Sequence, residues 1–371
     1  MTAARRKPPT EDFETIQAPG NLELVLGVVS VSIAVEALGA LTGSEVWLLG
    51  LLVFLPAAAS ALCTVRQTWF VAGWTTFVVA SVAVTRARHG EHWLDRSLLV
   101  LFTLCLGGAS ILACRRRLRR EREMLGLRSA AAAMQRHILH PLPMVTDDVL
   151  VNGVYEPVQE DRLVGGDIYD VVASPWGTRV LIGDVQGKGL AAVGAAFAVI
   201  GAFREAAHRE PTLTALVDAL DAAVVRHNSY AEQTGDDERF VTALIVGVDL
   251  GAEAQLVNCG HVPPRLVTGE TVTTPALDSG VPLGLGELSL APTTVNWCSF
   301  PPGSTLLLTT DGLVEARAAD GSFYPLDERL PHYLDRSPTE LPRVLYGDVR
   351  AFADRRRDDI AILTVRRSPR L

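Results

Sequence analysis

The chain of 371 residues predicts an α+β layered domain preceded by an all-α transmembrane region of about four helices. Three observations carry that prediction. Four long apolar runs crowd the chain before Arg115, and beyond Pro141 the apolar spacing turns from helical to strand-like. The strand-like segments then come in groups separated by helical ones, with few crossovers, which is the pattern of a layered α+β domain.

The membrane region comes first. Mean hydropathy is positive although the formal net charge is −8, and the excess is local. Leu24–Thr42 is apolar with one acid, Glu36, and Val46–Val65 carries no charge at all. Trp69–Thr85 and Ser97–Cys114 complete the set, each near the roughly 17–25 residues that cross a hydrocarbon layer as a helix. The first run is too long for a cleavable signal and lacks a small-residue cleavage pattern. Arg5, Arg6 and Lys7 precede the spans and Arg115–Arg120 follows them, so an even number of crossings puts both ends in the cytoplasm. Arg86, Arg88 and Arg96 lie in a loop that would then be outside, but the cluster after Cys114 is denser and sets the orientation. The expected divisions are a cytoplasmic tail (1–23), a multi-pass cell-membrane region (24–114), a linker (115–143) and a cytoplasmic domain (144–371). The five cysteines show no metal or redox spacing and serve packing.

The linker from Arg115 to about His140 is rich in Arg, Glu, Ala and Leu and predicts a helix that Pro141 and Pro143 end. It is a candidate signalling helix, and its Ala130–Met134 stretch is a candidate contact for a homodimer. Strands follow at Val149–Val158, Ile168–Ala173 and Arg179–Val185. Helices at Gly189–Ala207 and Leu213–His227 come next, then strands at Phe240–Val248, Ala254–Asn258, Pro264–Val267 and Thr305–Thr309. Short helices at Leu326–Leu334 and Leu341–Phe352 precede a last strand at Ile360–Val365.

Four acidic motifs punctuate this domain: Gly165-Gly166-Asp167-Ile168-Tyr169-Asp170, Gly183-Asp184-Val185-Gln186-Gly187-Lys188-Gly189, Thr309-Thr310-Asp311-Gly312 and Arg357-Asp358-Asp359. Each sets an aspartate beside a glycine, a turn or a strand end. Any one could be an ordinary turn. Gathered in space, they would repel one another unless cations sat between them, and hard oxygen ligands suit Mg²⁺ or Mn²⁺.

Taken in order, the motifs resemble the SpoIIE-type bacterial branch of the metal-dependent 2C-type (PPM) serine/threonine protein phosphatases, from about Arg136 to Arg367. Asn258-Cys259-Gly260-His261 with Pro263-Pro264, and Pro282-Leu283-Gly284, add to the match. The resemblance implies an α-β-β-α sandwich with two divalent metal ions, Mn²⁺ or Mg²⁺, at one edge. It implies that Asp184 bridges both metals, that the Val185 carbonyl contributes, that Asp311 and Asp358 complete one shell, and that Asp167 faces the second metal. Asp359 ranks below Asp358. Asp184 and Asp311 are the residues on which catalysis should depend most.

Two such ions lower the pKa of a shared water and hold phosphoryl oxygens for in-line attack, so no nucleophilic side chain is required. No acylating serine elbow is present. Gly166, Gly187, Lys188 and His261 are read as shaping the site: the glycines by close backbone approach, Lys188 as a phosphate screen or a solvated loop lysine, His261 as a loop former rather than a general acid. Gln186 stands where eukaryotic relatives often carry a histidine, and their phosphate-binding arginine has no obvious counterpart.

Rival functions fare worse. Gly165-Gly166-Asp167 is similar to the opening of a cyclic-dinucleotide synthase signature, but Ile168 and Tyr169 replace its Glu-Phe. A histidine kinase would need a glycine-rich lid after an asparagine-bearing helix, and neither is present. A catalytically inactive phosphatase-fold binding module, tethered to the membrane, is the remaining alternative. The expected partner is a phosphoserine or phosphothreonine protein of the cytoplasm, which the resemblance suggests is an anti-sigma-factor antagonist; no nucleic acid is expected.

Overall fold

The computed structural model describes residues 19–42, 50–85, 93–157, 166–187, 190–289, 291–354 and 358–368. It divides into two compact units, Met1–Met124 and Leu125–Leu371.

In the first unit, α1 (Asn21–Thr42), α2 (Leu55–Leu62) and α3 (Val65–Thr85) are joined by the opening part of α4 (Trp93–Ile138). Among the described residues three stretches are long and apolar enough to cross a membrane: Asn21–Leu38, Val65–Thr85 and Arg96–Met124. The expected second span, Val46–Val65, is described from Gly50 and is a shorter apolar stretch, Gly50–Leu62. It breaks at Val53–Phe54, because Pro56 lacks an N–H and favours the first turn of a new helix. This stretch nevertheless runs back along α1: Val28 packs with Ala59, Cys63 and Val71, while Val35 lies against Leu52 and Val78. Polar contacts gather at one end. Gln67 Nε2 donates to Pro19 O (2.8 Å) and Asn21 Oδ1 (3.0 Å), and Arg117 Nη2 donates to Cys63 O (2.8 Å).

The second unit holds two antiparallel sheets. One runs β1 (Met144–Val145), β2 (Val149–Glu156), β11 (Ile360–Arg367), β10 (Thr305–Thr309), β7 (Arg265–Thr268), β8 (Thr271–Thr273). The other runs β3 (Asp167–Ser174), β4 (Gly177–Val185), β5 (Val241–Val248), β6 (Glu253–Cys259), β9 (Asn296–Ser299). Alternation on β11 shows how the layers stack. Ala361, Leu363 and Val365 enter the main core, whereas Ile360 and Ile362 face a second core with Leu341, Leu345 and Val349 of α9 (Leu341–Phe352). The five-stranded sheet is covered on both faces, so Val180, Leu181 and Ile182 are consecutively buried instead of alternating. Its outer cover is α5 (Leu190–Arg209) and α6 (Leu213–Thr234). α5 buries Ala192, Ala195, Ala196, Val199, Ile200 and Phe203, a helical three-to-four spacing of mostly small residues. Thr212 caps α6 by accepting the Ala215 N–H, and Gly235 ends it at φ +79°. The α-β-β-α sandwich is therefore present as expected.

Most strand and helix expectations hold to within a few residues. The short strands β1, β8 and β9 were not expected; they are two to four residues long and partly exposed, too brief for an alternation to register. Shortening Leu345, fully buried beneath α9, to alanine should cost about 2–5 kcal/mol. It should lower the melting midpoint by several degrees, and an unchanged melt would contradict this packing.

Candidate metal centre

β3 and β4 pair so that Asp167 lies directly opposite Asp184, one residue inside the same end of the sheet. Carboxylates directly across an antiparallel pair point to the same side. Asp311 comes from the other sheet, at the start of the short helix α7 (Asp311–Val314) that follows β10. Asp167, Asp184 and Asp311 each offer an oxygen within 4.8 Å of the other two. Asp167 is almost wholly buried, the other two half-buried.

The two final acids divide their work. Asp359 is buried, and its Oδ2 accepts the Gly166 N–H (3.0 Å), tying the last motif to the first. Asp358 is exposed, its Oδ1 accepts the Asp359 N–H (3.0 Å), and it lies close enough to Asp311 and Asp184 to raise both. The close-set group of three does not include it.

Electrostatics follow from this crowding. Burial first, then Asp184 and Asp359, hold Asp167 well above the usual carboxylate range. Burial, followed by the charges of Asp311 and Asp358, pushes Asp184 up to about 7. Asp311 rises through burial and then Asp358. The donor set is all oxygen, acidic and mutually repelling, so it fits hard divalent cations, whose charge would relieve what burial makes costly.

Backbone makes room for these groups. A Cβ on Gly166 would sit 2.6 Å from both Asp184 Oδ1 and the Val185 carbonyl oxygen, so only glycine leaves that space open beside two of the expected ligand groups. Gly187 turns the chain at φ +85°, and a Cβ there would run into the Arg239 guanidinium. Lys188 lies outside the described residues.

His261 is buried, with its backbone clasped by Asn258: the His261 N–H donates to Asn258 Oδ1 (2.7 Å) and Asn258 Nδ2 donates to His261 O (3.0 Å). Its Nδ1 bonds the hydroxyl of Thr242 (3.0 Å), the residue paired with Asp184 on β5. Burial pushes its pKa down to about 4, against a smaller opposing contribution from the Thr309 backbone. A neutral, enclosed imidazole is a poor proton source.

Several neighbours had no role in the sequence reading. Thr310 donates its hydroxyl to Asp167 Oδ2 (2.7 Å). Arg239 Nη1 donates to Gln186 O (3.1 Å) over the turn after Asp184, placed there because β5 pairs with β4. Asp170, inside the first motif, is fully buried and faces away from the clustered acids toward Arg204 Nε (2.7 Å) of α5 and the His140 ring. A charged residue three positions from Asp167, inside a strand otherwise apolar, was the signal for it.

Comparison with known proteins places residues 174–368 in the family model described as Stage II sporulation protein E (SpoIIE). The fold is similar to the SiaA-PP2C domain of Pseudomonas aeruginosa, with 19% identity, 67% of this chain and 98% of that one covered, and a TM-score of 0.53. The RsbU and RsbW domains of Rv1364c from Mycobacterium tuberculosis align at 22% identity over 60% of this chain and 62% of that one, with a TM-score of 0.48. Protein IcfG of Synechocystis sp. is 26% identical over 200 residues, 47% of this chain, and this chain spans 30% of its length.

The raised Asp184 gives a pH-dependent expectation. Its folded value lies above its unfolded one, so stability present below about 3.8 is lost as pH rises toward about 7 without metal. Asp184→Asn should therefore melt higher than the wild type at pH 8 in chelator, with a smaller gain at pH 5. Added Mn²⁺ should raise only the wild-type midpoint. A variant that melts lower at pH 8 would refute the repulsion.

Proposed function

The chain belongs to the Stage II sporulation protein E (SpoIIE) family, and from that premise we propose that it is a membrane-anchored, metal-dependent protein serine/threonine phosphatase. The observation that carries the reading is the convergence of Asp167 and Asp184, from two strands of one sheet, with Asp311, from the helix start that follows a strand of the other, to within 4.8 Å of one another. Two divalent cations, Mn²⁺ or Mg²⁺, would be held by these three with Asp358, Asp359 and the Val185 carbonyl. When bound, such a pair lowers the pKa of a shared water and neutralises phosphoryl oxygens.

The chain's own residues do the positioning. Asp184 stands between the two sheets' contributions, facing Asp167 across the ladder and Asp311 from the opposite layer. Gly166 keeps the cavity beside Asp184 open, and Asp359 fastens the Gly166 amide so that this opening is held. α5 begins at Leu190, soon after the Gly187 turn, and a helix N-terminus favours an anion nearby. His261 and Thr242 brace the strand behind Asp184.

The apolar stretches anchor the protein in the cell membrane as a multi-pass unit. The start of α1, the turn before α3 and Arg117 of α4 meet at one end of that unit, so the start of α1 and the basic stretch around Arg117 share a side. Arg115–Arg120 make that side cytoplasmic, together with the catalytic domain. The substrate is a phosphoserine or phosphothreonine of a cytoplasmic regulatory protein, with anti-sigma-factor antagonists as the class that the family resemblance favours. The linker helix is the proposed dimer contact; a full-length chain that sediments as a monomer in detergent would contradict that part.

The full chain should release phosphate from a phosphoserine protein with Mn²⁺ and not with chelator. Asp184→Ala or Asp311→Ala should lower the rate by at least about 100-fold, since each removes a metal ligand. A folded wild type with no turnover under Mn²⁺ or Mg²⁺, tested against the phosphoproteins of its own cell, would favour the inactive binding module.

A further inference from the structure

Resting on that reading of the metal centre, we infer that Thr310 is its positioning residue: the hydroxyl holds Asp167 in a fixed orientation and commits one of its two oxygens to the protein. Thr310 is fully buried at the join between β10 and α7. Its Oγ1 accepts the Ala361 N–H at 2.9 Å, and its own N–H donates to Ala361 O at 3.1 Å, so the residue is pinned to β11 through backbone and side chain together. A hydroxyl has a single proton. With Ala361 supplying the donor on one side, that proton goes to Asp167 Oδ2, 2.7 Å away.

The chain of contacts crosses the sandwich. Ala361 and Thr310 belong to the six-stranded sheet and Asp167 to the five-stranded one, so the bond sets a ligand of one layer by the frame of the other. A hydrogen bond to a carboxylate is short and charge-assisted, and its direction selects the carboxylate's rotation. One lone pair on the Oδ2 side of Asp167 is thus taken by the protein. Neighbours that orient metal-binding carboxylates typically govern metal affinity by about 10–100-fold when removed.

The test is Mn²⁺ binding by the full chain in detergent, read from the free-Mn²⁺ signal in electron paramagnetic resonance. Thr310→Val keeps the volume and removes the hydroxyl, and should weaken Mn²⁺ binding by about 10-fold or more. Thr310→Ser keeps the hydroxyl and should bind within about 3-fold of wild type, well short of that loss. Thr310→Ala serves in place of the valine variant if the latter fails to show the wild-type circular dichroism and melt. Wild-type affinity in a folded Val or Ala variant overturns the inference. So does equal weakening in the Ser variant, since that would make the effect one of packing. Asp184→Asn distinguishes the two layers of argument: if it still binds Mn²⁺ as the wild type does, the metal-centre reading itself falls.

Discussion

Like charges confined where water is scarce repel strongly, and the catalytic unit is arranged around one such confinement. Asp167 and Asp184 face each other across a ladder and Asp311 closes on them from the second sheet, all with carboxyl groups raised first by burial and then by neighbouring acids, Asp358 among them for Asp184 and Asp311. A fold does not hold that arrangement for stability. The cost is local, and a divalent cation among these carboxylates would lower it.

The sandwich is what makes the confinement affordable. Strands buried on both faces, with α5 and α6 outside, keep β3, β4 and β5 rigid up to the ends from which the acids project. Close to the acids the second sheet is tied across by Thr310 to Asp167 and by Asp359 to the Gly166 amide. Glycine stands where a side chain would block: at Gly166 beside Asp184, and at Gly312, where a Cβ would overlap the Asp359 carbonyl. Asp170 and His261 belong to this frame. Asp170 joins β3 to Arg204 of α5 and to His140 at the end of the linker segment, inside the same unit.

Much of this was readable from residue order. The helix Leu341–Phe352 and the strand Thr305–Thr309 coincide with their expected bounds, because a buried stripe and a continuous apolar run leave unambiguous patterns. The acids were legible through the glycines beside them. What the pattern could not supply was pairing. Thr310 and Arg239 acquire their places only when β10 meets β11 and β5 meets β4, and Thr242 only when it falls opposite Asp184. In the N-terminal unit, the expected second span was uniform in hydropathy, and hydropathy does not register the break that Pro56 imposes. The antiparallel packing of that stretch against α1 depends on contacts between Val28, Ala59 and Val71, which a window average cannot contain.

The central claim is that acids distant in sequence enclose a pair of cations. Anomalous diffraction at the manganese edge, from crystals of the chain grown with MnCl₂, tests it most directly. The account predicts two strong peaks among the carboxylates of Asp167, Asp184, Asp311 and Asp358. Full-occupancy manganese elsewhere with none among those four side chains would contradict it.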